Sequence, residues 1–191
     1  MTVPEYVTTF VAIIVSLAVA DLLISLHRLL RAGSRVRWHW IPAALALYAL
    51  LLAVNFWWGN FSHFAHLSRI PMVEFLPTLG SLVILFLILA AVLPDEVPAR
   101  GLDLKEWYGE NARYIWLLNV AGLGTLLTVF AASHVRTVPD VGQFLLAQSL
   151  NLVLLVGAAI LLFTKRPWVH STYVAFAVAV LLYSSLVRVI G

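Results

Sequence analysis

The sequence predicts an all-α integral membrane protein, a six-transmembrane-helix bundle. Three observations support this fold class. The 191 residues are 62% hydrophobic and only 11% charged, whereas soluble domains average about 45–50% apolar and about 25% charged residues. Six apolar segments are long enough to cross a bilayer, which takes about 20 residues. The basic residues gather in alternate connections between these segments.

The predicted spans make up a single transmembrane domain, 1–191. Gly and Pro residues separate them, as is typical of helix ends and connections. Helices are favoured over a barrel because a helix satisfies its own backbone groups in lipid and no alternating ten-residue segments occur. The spans cover residues 6–30, 40–61, 71–93, 112–133, 142–164 and 168–187.

The basic residues predict the orientation of the bundle. Cytoplasmic connections of membrane proteins are enriched in Lys and Arg. Nine of the twelve basic residues fall on one side, so this side is expected to face the cytoplasm of the cell membrane, with both termini outside. The nine are Arg28, Arg31, Arg35, Arg37, Arg100, Lys105, Arg113, Lys165 and Arg166, and the other three are Arg69, Arg136 and Arg188.

Aromatic residues near the span ends are interpreted as interfacial anchors, because Trp and Tyr favour the boundary between lipid and water. Small residues four apart are interpreted as packing stripes, because they let helices approach closely in lipid. The anchors are Trp38, Trp40, Trp107, Tyr114, Trp116 and Trp168 on the inner side and Tyr6, Trp57, Trp58 and Tyr183 on the outer side. The stripes are Ala12, Ser16 and Ala20; Gly124, Thr128 and Ala132; and Ser171, Ala175 and Ala179.

A faint internal repeat suggests three helical hairpins in series. Glu5, Glu74 and Gln143 lie 69 residues apart, and each is followed by an aromatic and then apolar residues. Membrane transporters often contain such internal repeats. The alternative is coincidence in a sequence that uses few residue types.

Asp21 is the first candidate for a binding or pathway residue, because it is an acid inside an apolar span. Intramembrane acids cost free energy and often mark ion or proton pathways. Ser25 and Arg28 follow at helical spacing on the same face. Two interpretations stay open. Asp21 lines a vestibule that binds a cation or carries a proton, or it is held by Ser25 and an arginine in a structural contact.

Other polar residues form two predicted layers. Asn119 lies in the inner layer with Asp21, while Asn55, Glu74, Gln148 and Asn151 lie in the outer layer. Each amide could line a pathway or simply form a hydrogen bond between helices. Glu74 could instead be a solvated residue at a helix start. Gln148 and Asn151 are three residues apart and could act together.

Three histidines are candidates for a metal site on the outer side: His63, His66 and His134. Neutral imidazole binds zinc and copper and also clamps haem. The chain has no cysteine, so thiolate ligands are excluded. The sequence requires no cofactor, and the alternative interpretation of these histidines is aqueous contact at the interface.

The predicted function is an oligomeric channel or transporter for a small ion or polar solute. Two alternatives remain: a membrane scaffold or assembly factor, and a histidine-ligated metal or haem protein. No phosphate-binding loop or nucleophile motif indicates an enzyme. The expected partners are the lipid bilayer and further copies of the chain. Nucleic acid is not expected, since the basic residues lie at helix ends.

Overall fold

The computed structural model describes residues 3–64, 72–134 and 138–187. Within these ranges the chain forms seven α-helices, a 3₁₀ turn over Gly33–Arg35 and two short strands. The helices are α1 Val3–Ala32, α2 Trp40–Phe64, α3 Met72–Ala91, α4 Leu104–His134, α5 Val138–Ala147, α6 Ser149–Leu161 and α7 Pro167–Val187. The strands are β1 Val36–Arg37 and β2 Leu102–Asp103.

Local chemistry explains where several helices begin and end. Gly33 adopts a φ of 57° directly after α1, a left-handed conformation that commonly ends helices. The Nδ1 atom of His39 accepts a hydrogen bond from the backbone N–H of Ile41 in the first turn of α2. Asp103 caps α4, and Pro167 is the first residue of α7, where its missing N–H costs nothing.

Four helices are long and apolar enough to cross a membrane: α1, α2, α4 and α7. A fifth span is obtained if α5 and α6 are counted together, although the pair is bent by 67°. The apolar part of α3, Phe75–Ala91, is shorter than the other four. The prediction of a helical membrane protein is therefore confirmed, with four or five span-length elements among the described residues.

The outward faces of these helices are as apolar as their packed faces. Only 22% of the most apolar window of α1 is buried inside the protein, and Leu17 and Leu23 lie exposed on its outer face. Contiguous apolar surface of this kind is rare on soluble monomers. Lipid is the environment that suits it.

Six helices pack into a closed ring. The helix α1 lies against α2 and α3, α3 against α4, and α4 against α6. The helix α7 packs extensively against α2 and more narrowly against α6, which closes the ring. Side chains from α2 and α4 meet across its centre, where Tyr48 and Asn119 are almost fully buried.

The two helices of each sequential hairpin are in contact. The helix α1 packs against α2, α3 against α4 and, more narrowly, α6 against α7. The contacts between hairpins differ from one another: α1 meets α3, α4 meets α6, and α2 meets α7. The 69-residue repeat itself stays a prediction.

A two-residue parallel ladder joins the connection after α1 to the connection after α3. Val36 pairs with Leu102, and Arg37 pairs with Asp103. Val36 is buried, while a guanidinium nitrogen of Arg37 lies 3.1 Å from a carboxylate oxygen of Asp103. These two connections therefore lie at the same end of the bundle, which we call the basic end.

Two predicted spans differ from the observed helices. The helix α4 begins at Leu104 rather than at residue 112, because Asp103 caps it and its first two turns pack at the basic end. The fifth predicted span is broken at Gln148 into α5 and α6. Three of the four residues from 148 to 151 are polar, Gln148, Ser149 and Asn151, and polar side chains of this kind compete with the backbone for hydrogen bonds.

The predicted small-residue stripes are not the packing faces of their helices. Ser16 and Ala20 of α1 are exposed, and the buried side chains of this helix lie on another face. The stripes on α4 and α7 are likewise largely exposed. The buried face of α1 consists of Val11, Val15, Ala18, Leu22, Ser25 and Leu29. This mixture of two small and four larger side chains fills the space between helices better than alanine and serine alone.

Candidate functional site

Asp21 lies beside the buried face of α1, half-buried between Ala18 and Leu22. No hydrogen bond or ion pair joins its carboxylate to any of the described residues. The expected contact with Ser25 is absent, because the Ser25 hydroxyl donates to another aspartate. Asp21 therefore has its carboxylate within an apolar helix, and no described residue forms a hydrogen bond or ion pair with it.

Ser25 and Arg28 bind Asp95, which follows α3. The Ser25 hydroxyl donates to Oδ1 of Asp95 over 3.3 Å, and an Nη1 of Arg28 donates to the Asp95 backbone carbonyl over 2.9 Å. Both predicted site residues thus fasten α1 to the connection after α3. Their chemistry here is structural, and it explains why a serine is buried in an apolar helix.

Asn119 joins two helices across the ring. Its Oδ1 accepts a hydrogen bond of 2.8 Å from the Tyr48 hydroxyl, and its Nδ2 donates to the Ile115 carbonyl over 2.8 Å. With only 2% of its surface exposed, Asn119 occupies the filled centre of the bundle. A pathway through this centre would have to break the contact with Tyr48.

Asn55 joins α2 to α7 in the same manner. Its Nδ2 donates to the Leu51 carbonyl over 2.9 Å and to the Ser185 hydroxyl over 2.8 Å. Its Oδ1 accepts a longer hydrogen bond from the Ser184 hydroxyl. For both asparagines the structure supports the interpretation as bridges between helices, since the helix pairs they join are in close contact.

Gln148 and Asn151 come together at the break between α5 and α6. The Nδ2 of Asn151 donates to Oε1 of Gln148 over 2.6 Å, so the expected pairing is present. The Gln148 amide nitrogen and the Asn151 carbonyl oxygen make no hydrogen bond with the described residues. Both side chains are half-exposed. One donor and one acceptor therefore remain available at a bent helix.

The remaining candidates cannot be placed. The side chains of Glu74, His63 and His134, and the whole of His66, lie outside the described residues. Among the side chains that the structure does describe, no three His, Asp or Glu converge in a way that could hold a metal ion.

A buried polar chain of side chains at the basic end was missed by sequence reasoning. The Trp116 indole N–H donates to the Tyr108 hydroxyl oxygen over 2.9 Å, and that hydroxyl lies 2.6 Å from Nδ1 of His170. The other ring nitrogen of His170 lies 3.0 Å from the Thr164 carbonyl. A carbonyl can only accept, so Nε2 carries the proton and Nδ1 accepts from Tyr108.

This chain corrects the interpretation of Trp116 as an interfacial anchor. Trp116 is fully buried, and its indole packs edge-on against Tyr173 at 5.1 Å between ring centroids. The available signal was the spacing of Tyr108, Ala112, Trp116 and Asn119, which places all four on one face of α4. Three elements, α4, α7 and the connection between α6 and α7, are fixed together as a result.

A cleft with a volume of about 1060 Å³ also lies at the basic end. It is bounded by the last turns of α3, the connection from α3 to α4, the first turns of α4 and the residues around β1. We call the lining residues of the two helices that are apolar or aromatic, such as Leu87, Ala90, Ala91 and Tyr114, its deep wall, and the charged lining residues its upper wall. The charged side chains are Arg35, Arg37, Arg100, Asp95, Glu96, Asp103, Glu106 and Glu110.

Gly101 allows the upper wall of this cleft to close. It adopts a φ of 88°, and a Cβ atom there would lie 2.9 Å from the backbone carbonyl oxygen of Arg35. Only glycine satisfies both conditions without strain. The β1–β2 ladder can therefore form directly beside it.

Comparison of the chain with protein-family models, with curated proteins and with solved structures finds no match. Function is therefore inferred from the chemistry of the residues described above.

Proposed function

We propose that this protein is an oligomeric channel or transporter for a small ion or polar solute in the cell membrane. The single observation that supports this most is the bent α5–α6 element, with Gln148 and Asn151 at its break. In many transporters, discontinuous helices near the middle of the bilayer hold the substrate.

Two amide groups that make no hydrogen bond with the described residues determine what the break between α5 and α6 can bind. In hydrocarbon, an amide group without a hydrogen-bond partner costs several kcal/mol. The Gln148 nitrogen and the Asn151 oxygen would recover that cost by binding water, a polar solute or a polar group of another copy. A donor beside an acceptor suits a neutral hydroxyl- or amide-bearing solute, and the acceptor alone suits a cation.

Oligomerisation is part of the proposal because the ring leaves little room inside. Tyr48, Asn119 and Trp116 fill its centre. The exposed small-residue stripes on α1, α4 and α7 are suited to close contact with helices of a second copy. We place the six predicted spans with the basic end in the cytoplasm and both termini outside, and we include Asp21 among the pathway residues.

Solute flux tests this proposal. Purified protein is reconstituted in liposomes, and swelling by glycerol and urea and the flux of K⁺ and H⁺ are compared with empty liposomes. We expect flux of at least one probe. The Gln148→Leu, Asn151→Leu double variant should reduce that flux at least ten-fold. Asn60→Leu is the matched control, because among the described residues this half-buried amide bonds only within its own helix, to the Phe56 carbonyl.

The absence of flux for every probe from correctly folded protein would reject transport. The second candidate function, a membrane scaffold or assembly factor, would then be favoured, because the exposed stripes would serve contacts with other proteins. Reproducible co-purification of another membrane protein, lost on Ala20→Leu but not on Leu17→Ala, would support it.

A further inference from the structure

The cleft at the basic end lies at the depth of lipid headgroups. At 1.5 Å per residue, the 31 residues of α4 form a rod about 46 Å long, whereas the hydrocarbon core of a bilayer is about 30 Å thick. About ten residues of α4 must therefore extend beyond the core. The charged residues of α4, Lys105, Glu106, Glu110 and Arg113, all lie in its first ten positions, which identifies the protruding end.

The deep wall of the cleft is continuous with the lipid-facing surface. Leu87 of α3 and Tyr114 of α4 both line it, and 38% and 50% of their surfaces are exposed. Ala90 and Ala91 also line the cleft. An acyl chain lying between α3 and α4 could therefore enter the cleft from the side, and its burial there would be favourable.

The upper wall carries unpaired charges of both signs. Of the three arginines that line it, Arg37 is paired with Asp103. Arg35 and Arg100 form no ion pair with any described residue, and neither do Glu106 and Glu110. These last two are one helical turn apart, so both carboxylates lie on the same face of α4.

The charge pattern restricts the ligand. The lining contains five carboxylates and three guanidiniums, so a purely anionic headgroup would meet an excess of like charge. A purely cationic ligand would leave the two unpaired arginines without a counterion. A phosphate joined to a primary ammonium matches both, since guanidinium binds phosphate with two parallel hydrogen bonds and carboxylates accept ammonium N–H groups.

We propose that this cleft is a binding site for an aminophospholipid with a phosphate diester and a primary ammonium, as in phosphatidylethanolamine. The phosphate contacts Arg35 and Arg100, the ammonium contacts Glu106 and Glu110, and one acyl chain follows the wall formed by Leu87 and Tyr114. This site is separate from the α5–α6 break, so the inference does not depend on the proposed transport function.

Lipid binding to the purified protein tests the proposal. After delipidation in detergent, binding of phosphatidylethanolamine, phosphatidylglycerol and water-soluble glycerophosphoethanolamine is measured by native mass spectrometry. We expect phosphatidylethanolamine to bind at least ten-fold more tightly than either of the others. Phosphatidylglycerol keeps the phosphate without the ammonium, and glycerophosphoethanolamine keeps the headgroup without the acyl chain.

Charge-neutral variants locate the site. Arg35→Gln with Arg100→Gln, and Glu106→Gln with Glu110→Gln, should each weaken binding of phosphatidylethanolamine at least five-fold. All four side chains are exposed, so folding is expected to be retained. Arg31→Gln and Asp21→Asn are matched controls, because neither residue lines the cleft, and they should leave binding unchanged.

Three outcomes would overturn the proposal. Equal binding of the two phospholipids would remove the role of the ammonium. Equal binding of glycerophosphoethanolamine and the lipid would identify a soluble phosphate ester as the ligand. Unchanged lipid binding by both double variants would place the lipid elsewhere on the bundle.

Discussion

Asp21 and Asn119 show how two polar residues in similar apolar surroundings can have different roles. Both hydrogen-bonding groups of the Asn119 side chain are paired inside the bundle, so this residue contributes to stability. Asp21 makes no hydrogen bond or ion pair with the described residues, although its carboxylate lies in an apolar span. A group that costs free energy without a described structural partner is the better candidate for function.

Replacement of Asp21 separates structure from function. We expect Asp21→Asn to leave the free energy of unfolding within about 0.5 kcal/mol of the wild-type value, because no described contact is lost. The thermal unfolding midpoint should therefore stay close to that of the wild type. Flux in liposomes should fall or lose its dependence on pH. A large loss of stability that an added Arg28→Gln restores would instead identify a structural ion pair and contradict the functional assignment.

Gly157 is a second residue whose environment makes a clear prediction. A Cβ atom there would overlap the ring of Tyr173, and the Tyr173 hydroxyl is anchored to the Leu154 carbonyl. We expect Gly157→Ala to destabilise the protein by about 1–3 kcal/mol through overpacking, seen as a lower thermal unfolding midpoint in detergent.

The matched control is Gly109→Ala, since a Cβ atom at this helical position would have nothing within 4 Å. Alanine is the better helix former, so this variant should be neutral or slightly stabilising. If both substitutions destabilised the protein equally, close approach of α6 and α7 at Gly157 would not be the cause.

Among the elements, the α5–α6 pair departs furthest from what hydropathy predicts. The mean hydropathy over a window of about 20 residues predicts one apolar span there, because it averages over the polar residues Gln148, Ser149 and Asn151. The helix α6 has only 13 residues, about 20 Å of helix, so it cannot cross the hydrocarbon core alone. The bend at Gln148 therefore changes the depth that each half can reach.

The β1–β2 ladder contains one carboxylate, that of Asp103, whose charged form stabilises the surrounding contacts. The backbone N–H of Lys105 donates to Asp103 over 2.8 Å and, together with the N–H of Glu106 and the charge of Arg37, lowers the pKa of Asp103 below its ordinary value. The stabilisation from the charged form is complete above the ordinary pKa of aspartate and is lost as the pH falls through the lowered value.

Two substitutions at Asp103 test this dependence of stability on pH. Asparagine keeps the cap but not the charge, so Asp103→Asn should lose less stability than the wild type when the pH is lowered from 7 to 3. Asp103→Ala removes the cap as well and should have the lower unfolding midpoint at pH 7. An identical response of wild type and Asp103→Asn to acid would show that this charge does not contribute.

For the whole molecule, the ring of six helices brings the α1–α2, α3–α4 and α6–α7 connections to one end. The ladder joins the first two, and the contact of His170 with Tyr108 and Thr164 joins the third. Five of the nine basic residues counted from the sequence lie in these connections, and the other four lie in the adjoining parts of α1 and α4. This arrangement agrees with the pattern expected for cytoplasmic connections.

That arrangement predicts the orientation of the bundle. Reporter fusions at Gly33 and at the C-terminus should report opposite sides, with Gly33 in the cytoplasm. The physical reason is the retention of Lys- and Arg-rich connections on the cytoplasmic side during insertion. A cytoplasmic C-terminus would reverse the orientation, and a C-terminus on the same side as Gly33 would show an even number of spans between them.

The sequence alone determined the membrane class, the helical architecture and most helix bounds, because the free energy of placing a segment in lipid is close to a sum over neighbouring residues. Tertiary structure decided which face of α1 was buried, because large apolar residues lie all around this helix: Val11 and Leu22 are buried, whereas Leu17 and Leu23 are exposed.

The polar partners were decided by tertiary structure as well. Ser25 binds Asp95 across 70 residues, and Tyr108 binds His170 across 62. Helical spacing restricts a side chain to partners on its own helix, so it assigned Ser25 to Asp21 and left Trp116 at the interface. In lipid a buried polar group takes the nearest available partner, and which group is nearest depends on how the helices pack against one another.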